Sequence, residues 1–203
     1  GQLWAGCRLG TVYRISTTRR VVLAKFVAHP GRPVLALCYH APRRCFASAA
    51  GEEDVLVWEQ GLAADAEPGR VLHCDSPITA LALASAASFR FLVGGALDGS
   101  VIVWDLHGGE IVCAKLHAHP TAVRCLTAMA VASGNSSSSV MVHISSSAGD
   151  RETMYWALIV KRPARTQTHT FMNIGTSFKD FVKGTREEGR EPAHEGPGWA
   201  GGG

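Results

Sequence analysis

The sequence has 203 residues, of which 46% are hydrophobic and 18% are charged, and its formal net charge is +3. This length is enough for one domain with a sizeable core, and the apolar content is too high for a wholly disordered chain. The positive residues are scattered, so the charge does not point to nucleic acid or to an acidic membrane surface. No apolar run reaches the ~20 residues that a helix needs to cross a bilayer.

The first residues are not those of a signal peptide, because no charged segment precedes an apolar one. The sequence also lacks an initiator methionine, so we expect the chain to begin inside a longer protein or to be processed. Its six cysteines form no C-x-x-C pair and lie in apolar runs. They are therefore predicted to be reduced core thiols of a cytoplasmic protein, with the nucleus as the alternative compartment.

Short apolar, β-branched runs separated by Gly, Pro, Asp and Ser predict strands in four successive units. The first unit has strands at 2–7, 10–16 and 20–25. The second has strands at 34–37, 44–49, 54–59 and 70–73. The third has strands at 78–81, 90–95, 98–105 and 110–114. A weaker fourth unit has strands at 121–129, 139–145 and 153–157.

The units share a register. Ile15, Trp58 and Trp104 end equivalent strands, at spacings of 43 and 46 residues. His29 and His119 each follow an alanine and precede a proline just before a first strand, and they lie two repeats apart. Such a period is typical of a repeated four-stranded meander of about 40–45 residues.

The Trp104-Asp105 pair and the Asp98-Gly99 turn before it resemble the WD40 repeat, and Trp58-Glu59 is a conservative variant of the same pair. The resemblance covers about residues 1–130. It implies an all-β fold, a WD40-type β-propeller segment of three to four four-stranded antiparallel blades, of which the fourth is degenerate. The structural repeat positions that it implies are His29, Trp58, Asp98, Trp104, Asp105 and His119.

In that family a turn Asp, a His, a Ser or Thr and the Trp form a hydrogen-bonded tetrad. The third unit has Asp98 and Trp104, but Gly94 or Gly95 stands where a hydroxyl would lie. No unit shows a complete set in the sequence, so we expect blades that are held mainly by packing.

The chain is predicted to divide into propeller blades at 1–160 and a polar, Gly-rich, largely disordered tail at 161–203. A closed propeller has 4–8 blades. Either the remaining blades therefore lie outside this chain, or the chain is a truncated form.

No motif indicates catalysis, a cofactor or a metal. The spacing of Cys113, His117, His119 and Cys125 matches no common zinc site. The glycine-rich run at 94–100 lacks the lysine and the helix of a phosphate-binding loop. The chain is therefore predicted not to be an enzyme and to bind no cofactor.

The resemblance implies a protein–protein interaction scaffold within a larger assembly. The alternative is a regulatory propeller attached to an enzyme or to a nucleic-acid-associated complex. The predicted partners are other proteins, with no clear nucleic acid and no membrane. Partners of the family commonly bind the loops that precede the first and the third strands, and the candidates there are Arg8, Arg32, Glu52, Glu53 and Asp98. Arg8 and Arg32 are the predicted anchors, because arginine is enriched among interface hot spots and neither has an obvious structural role.

Overall fold

The computed structural model describes residues 1–41, 44–58, 67–108, 110–115, 117–132, 139–150, 152–161 and 168–175. The fifteen elements named within these ranges are all β-strands, which confirms the all-β prediction. Nothing in this described part is a helix with the length and apolar character needed to cross a membrane.

The strands form four antiparallel sheets, each of which follows chain order. The first sheet contains β1 (Gln2–Gly6), β2 (Thr11–Ser16) and β3 (Val21–Val27). The second contains β4 (Ala36–His40), β5 (Cys45–Ala49), β6 (Asp54–Trp58) and β7 (Arg70–His73). The third contains β8 (Ile78–Ala86), β9 (Phe89–Ala96), β10 (Val101–Asp105) and β11 (Glu110–Lys115). The fourth contains β12 (Val123–Ala132), β13 (Ser139–Ala148), β14 (Thr153–Lys161) and β15 (Thr168–Gly175).

Consecutive sheets pack face to face, and a tryptophan from each later sheet fills the interface with the sheet before it. Trp58 packs on Phe26 of the first sheet, with ring centroids 4.8 Å apart. Trp104 joins a core with residues of the second sheet, and Trp156 joins a core with residues of the third. The exposed fractions of Trp58, Trp104 and Trp156 are 2%, 1% and 1%. Burial of each tryptophan side chain against the preceding sheet therefore stabilises the packing of the two sheets.

The first sheet presents an apolar row on the face that points away from the second sheet. Leu3 pairs with Ile15, and Ile15 pairs with Val22, so the three side chains lie side by side. Ile15 holds the register position of the buried tryptophans but is only partly buried, and Leu3 and Val22 are 53% and 56% exposed. This face lacks the neighbour that covers its equivalents in the later sheets.

The fourth sheet is more regular in its strand pairing than its weak sequence pattern indicated. Its strands β12, β13 and β14 have 10, 10 and 9 residues and pair along nearly their whole length. The sequence predicted only 153–157 for the third of them.

The fourth sheet also has a fourth strand that the sequence did not indicate. Strand β15 pairs with β14 from Lys161 to Tyr155. It lies inside the segment 161–203, which was predicted to be a largely disordered tail, and in this part of it the structure has a strand. The backbone groups of β15 form their hydrogen bonds with β14, and the weak local sequence pattern does not predict this pairing. Residues 176–203 lie outside the described residues, and for them the tail stays a prediction.

Candidate partner-binding rim

Alternate turns of an antiparallel meander lie at the same end of the sheets. The turns before the third strands and the loops before the first strands therefore share one edge, which we call the upper rim. It comprises the described residues 7–10, 28–35, 50–53, 74–77, 97–100, 117–122, 149–150 and 152. The turns at 17–20 and 87–88 lie on the opposite edge, the lower rim.

Equivalent backbone hydrogen bonds hold the loops of the upper rim together. The amide of His29 donates to the carbonyl of Gly10 at 3.0 Å, and the amide of His119 donates to that of Gly99 at 3.0 Å. Gly10 and Gly99 have φ values of +80° and +86°. A Cβ atom there would lie 1.5 and 1.9 Å from the same histidine carbonyl oxygens. Glycine is therefore required in both turns, for conformation and for space.

The fourth sheet contains a complete polar tetrad. The Nε2 atom of His119 lies 2.9 Å from the Ser146 hydroxyl, which also accepts a hydrogen bond from Trp156 Nε1 at 3.1 Å. On its other side, Nδ1 of His119 lies 3.0 Å from a carboxylate oxygen of Asp150. Burial opposes ionisation of Asp150, but hydrogen bonds, that with His119 foremost, outweigh it and lower the pKa of the carboxyl. The expectation that no blade has a full set is therefore wrong.

The second sheet contains a looser version of the same arrangement. His29 Nε2 lies 3.0 Å from the Ser48 hydroxyl, to which Trp58 Nε1 donates at 3.2 Å. Glu52 stands in the acidic position, 3.9 Å from His29 Nδ1. Burial lowers the pKa of His29, and the nearby charge of Glu52 opposes this only in part. Both rim histidines thus bond within their own blade, as the sequence predicted.

The third sheet departs from this pattern at two positions. Cys74 replaces the histidine, and its amide donates to the carbonyl of Glu53 at 2.9 Å, which is the equivalent of the histidine–glycine bonds. Gly94 replaces the serine, because the ring of Trp104 lies where a side chain would be: a Cβ atom at Gly94 would be 2.7 Å from that ring. The prediction of a blade held by packing is therefore correct for this sheet.

Ser48, Ser146 and Asp150 were not predicted from the sequence. A signal was present, because each serine lies ten residues before the tryptophan that it contacts. The separation between histidine and serine is not constant, at 19 residues in the second sheet and 27 in the fourth. The longer strands of the fourth sheet conceal the repeat from an alignment of fixed period.

The predicted partner-binding residues all lie on the upper rim. Arg8, Glu53 and Asp98 are exposed. Arg32 and Glu52 contact each other, with the Arg32 Nε atom 2.5 Å from a Glu52 oxygen. Arg32 thus has an ion-pair partner on its own rim, and it stays a predicted anchor. Arg8 stays a predicted anchor.

Exposed leucines accompany these charges. Leu9, Leu35 and Leu97 are 73%, 53% and 55% exposed, and all three lie in upper-rim loops. Apolar side chains placed among charges are what a protein-binding surface requires, because the apolar area favours burial and the charges fix orientation.

Comparison with known proteins agrees with this architecture. Residues 67–105 match the family model "WD domain, G-beta repeat" and run from the last strand of the second sheet to Trp104-Asp105. The fold is similar to that of U3-55K, with a TM-score of 0.56 and 18% sequence identity over 83% of this chain and 47% of that one. No curated protein matches the sequence. The chain therefore carries a WD repeat and has the fold of a WD40 β-propeller segment, which spans about half the length of that solved chain.

This fold does not by itself identify a partner. Matches extend to 808 chains of solved structures, and a fold shared so widely serves many functions. The function must therefore be argued from the rim.

Proposed function

We propose that this chain is a non-enzymatic protein-interaction scaffold that binds a partner protein through its upper rim. WD40 propellers generally act as interaction scaffolds, and the fold of this chain is of that kind. The observation that carries the proposal is that exposed leucines and side chains of both charges lie on the same rim. The loops that carry them are joined by backbone hydrogen bonds. Such loops present a preorganised surface, which lowers the entropic cost of binding.

The test is a quantitative pull-down from an extract of the protein's own organism, with variants of the two rims. Arg8→Glu and Leu97→Asp alter the upper rim at exposed positions. Arg44→Glu is the matched control, because Arg44 is exposed and belongs to the lower-rim turn between β4 and β5. We expect both upper-rim variants to lose the partners that the parent chain retains.

The lower-rim control should retain those partners, and circular dichroism should show the same strand content in all variants. Loss of the partners in Arg44→Glu, together with retention in both upper-rim variants, would contradict the proposal, because binding would then depend on the lower rim.

We also propose that further blades, outside this chain, cover the open faces of the first and fourth sheets. Leu3 and Val22 on one face and Met129 and Val131 on the other are between 45% and 58% exposed. Extensive strand packing within the described residues joins only consecutive sheets, not the first to the fourth. Apolar faces of this kind favour association.

The chain alone should therefore self-associate and bind 8-anilinonaphthalene sulfonate, and a Leu3→Lys/Val22→Lys variant should do both less. A chain that sediments as a monomer, melts in one sharp high transition and binds no dye would contradict the need for further blades.

The cytoplasm is the compartment that we propose, because the six cysteines are free thiols. Imaging of the tagged protein tests this, and a secreted chain would contradict it.

A further inference from the structure

A cavity of about 330 Å³ opens at the upper rim between the second and third sheets. Its lining includes the acidic residues Glu53, Asp75 and Asp98. It also includes the apolar residues Ile102, Ile111 and Ala114 of β10 and β11. This volume and this mixture of an apolar wall with a few polar groups are typical of sites that bind part of another molecule.

The cavity lies beside the position at which this blade lacks its histidine. Cys74 lines it and occupies the histidine position, as its backbone hydrogen bond shows. The thiol turns to the backbone, donating to the carbonyls of Glu53 at 2.8 Å and Ser76 at 3.2 Å. Burial raises the pKa of Cys74 to about 11, so the thiol is neutral at neutral pH and adds no charge to the cavity.

Within the described part of the chain, the acidic side chain of this blade forms no hydrogen bond with an imidazole ring. In the second and fourth sheets Glu52 and Asp150 face a histidine ring nitrogen. In the third sheet Asp98 is exposed and is bonded instead by the amide and hydroxyl of Ser100, at 2.9 and 3.0 Å. Burial works against ionisation of Asp98, but the Ser100 hydrogen bonds outweigh it and lower its pKa, so the carboxylate stays charged at neutral pH.

Two histidines and a lysine lie near the cavity, and the charge of His117 helps to lower the pKa of Asp98. His73 lines the cavity but already pairs with Asp54. The Nδ1 atom of His117 lies 3.3 Å from the backbone carbonyl oxygen of Asp98, and Lys115 ends β11 next to Ala114. Three carboxylates therefore face a cavity in which the described residues place no arginine or lysine side chain on the wall.

We propose that this cavity binds an arginine or lysine side chain of a partner protein. The aliphatic stem lies along Ile102 and Ile111, of which Ile111 is 51% exposed, and the cationic head lies among the carboxylates. The partner thus supplies in the third blade the positive or hydrogen-bonding group that a histidine supplies in the other two. This inference rests on the proposed scaffold function and specifies the chemistry of its partner.

The experiment titrates the protein with Nα-acetyl-arginine amide and follows backbone amide resonances by NMR. Nα-acetyl-citrulline amide is the control ligand, because it has the same shape without the charge. We expect arginine to shift the resonances of Asp75, Asp98 and Ile111, with binding that weakens as salt is added, and citrulline to leave them unchanged.

Two variants test the site itself. Glu53→Gln/Asp75→Asn should weaken arginine binding by about 2- to 30-fold, the range expected for two exposed charge pairs. Cys74→His should block it, because an imidazole enters the cavity and faces Asp98. Glu67→Gln/Glu110→Gln removes two exposed acids at the other ends of the same two sheets and should leave binding unchanged.

Equal binding of arginine and citrulline, or unchanged binding in Glu53→Gln/Asp75→Asn, would overturn the proposal. The outcome is separable from that of the pull-down. Arginine binding without loss of partners in the rim variants contradicts the scaffold surface alone, whereas partner loss without arginine binding contradicts the cavity alone.

Discussion

The serine of the fourth-sheet tetrad offers the sharpest test of the structural argument. The Ser146 hydroxyl has an exposed fraction of 0% and contacts His119 Nε2 at 2.9 Å and Trp156 Nε1 at 3.1 Å. The Ser146→Ala variant removes one hydrogen bond from each of these two buried nitrogens, while the change in volume is small. Each buried polar group that loses a hydrogen bond costs about 1–3 kcal/mol, so we expect a loss of about 2–6 kcal/mol in the free energy of unfolding.

The assay is urea unfolding, followed by tryptophan fluorescence and analysed by linear extrapolation. Ser145→Ala is the matched control, since Ser145 is the neighbour on the opposite face of β13 and is only partly buried. It should change the unfolding free energy by less than about 0.5 kcal/mol. Ser48→Ala should cost nearly as much as Ser146→Ala, because Ser48 makes the same two contacts in the second sheet.

A double-mutant cycle separates the tetrad from simple burial. Ser146→Ala and His119→Ala remove two ends of one hydrogen bond, so the double variant should lose less than the sum of the single losses, by about 1 kcal/mol. Additive losses, or a Ser146→Ala variant no less stable than Ser145→Ala, would refute the reasoning.

Four further changes follow from the same structure. Gly99→Ala should cost more than about 2 kcal/mol, because a Cβ atom would lie 1.9 Å from the His119 carbonyl at a φ of +86°. Gly31→Ala, with a φ of +73° and nothing within 4 Å, should cost only about 1 kcal/mol by urea unfolding. Burial lowers the pKa of His29 from its usual value of 6.5, so the unfolded chain takes up a proton before the folded chain does. The free energy of unfolding should therefore fall as the pH drops below about 6.5. In His29→Gln this pH dependence, measured as the urea midpoint at each pH, should be weaker. Trp104→Ala should lower the unfolding free energy by about 3–5 kcal/mol, as a large core truncation does, and a loss below about 1 kcal/mol would contradict the interface packing.

The repeat could be predicted from the sequence because burial imposes a fixed register on the third strands. Ile15, Trp58 and Trp104 mark it directly, and it gave the sheet order and the position of the upper rim. The polar tetrad could not be predicted in the same way. His119 and Ser146 come together only through pairing of β12 with β13, at a sequence separation that depends on the length of these strands.

Strand β15 could not be predicted for a related reason. Its stability depends on the ladder with β14, and its sequence, Thr168–Gly175, has no clear alternation of apolar and polar residues. The local pattern therefore carried too little information, and the neighbouring strand supplied the rest.

The third blade shows how one repeat can exchange internal bonding for an open site. Trp104 occupies the space above Gly94, so neither serine nor alanine fits there and the tetrad cannot be rebuilt by that change alone. Without the serine, a histidine at position 74 would have only the acidic residue as a partner. Cysteine at this position donates to backbone carbonyls instead. Packing then stabilises the blade, and the carboxylate of Asp98 no longer serves an internal histidine. An exposed rim residue that has no structural role can bind a partner with little loss of stability. We therefore expect a partner's side chain in the cavity of the third blade, and not at the complete tetrad of the fourth.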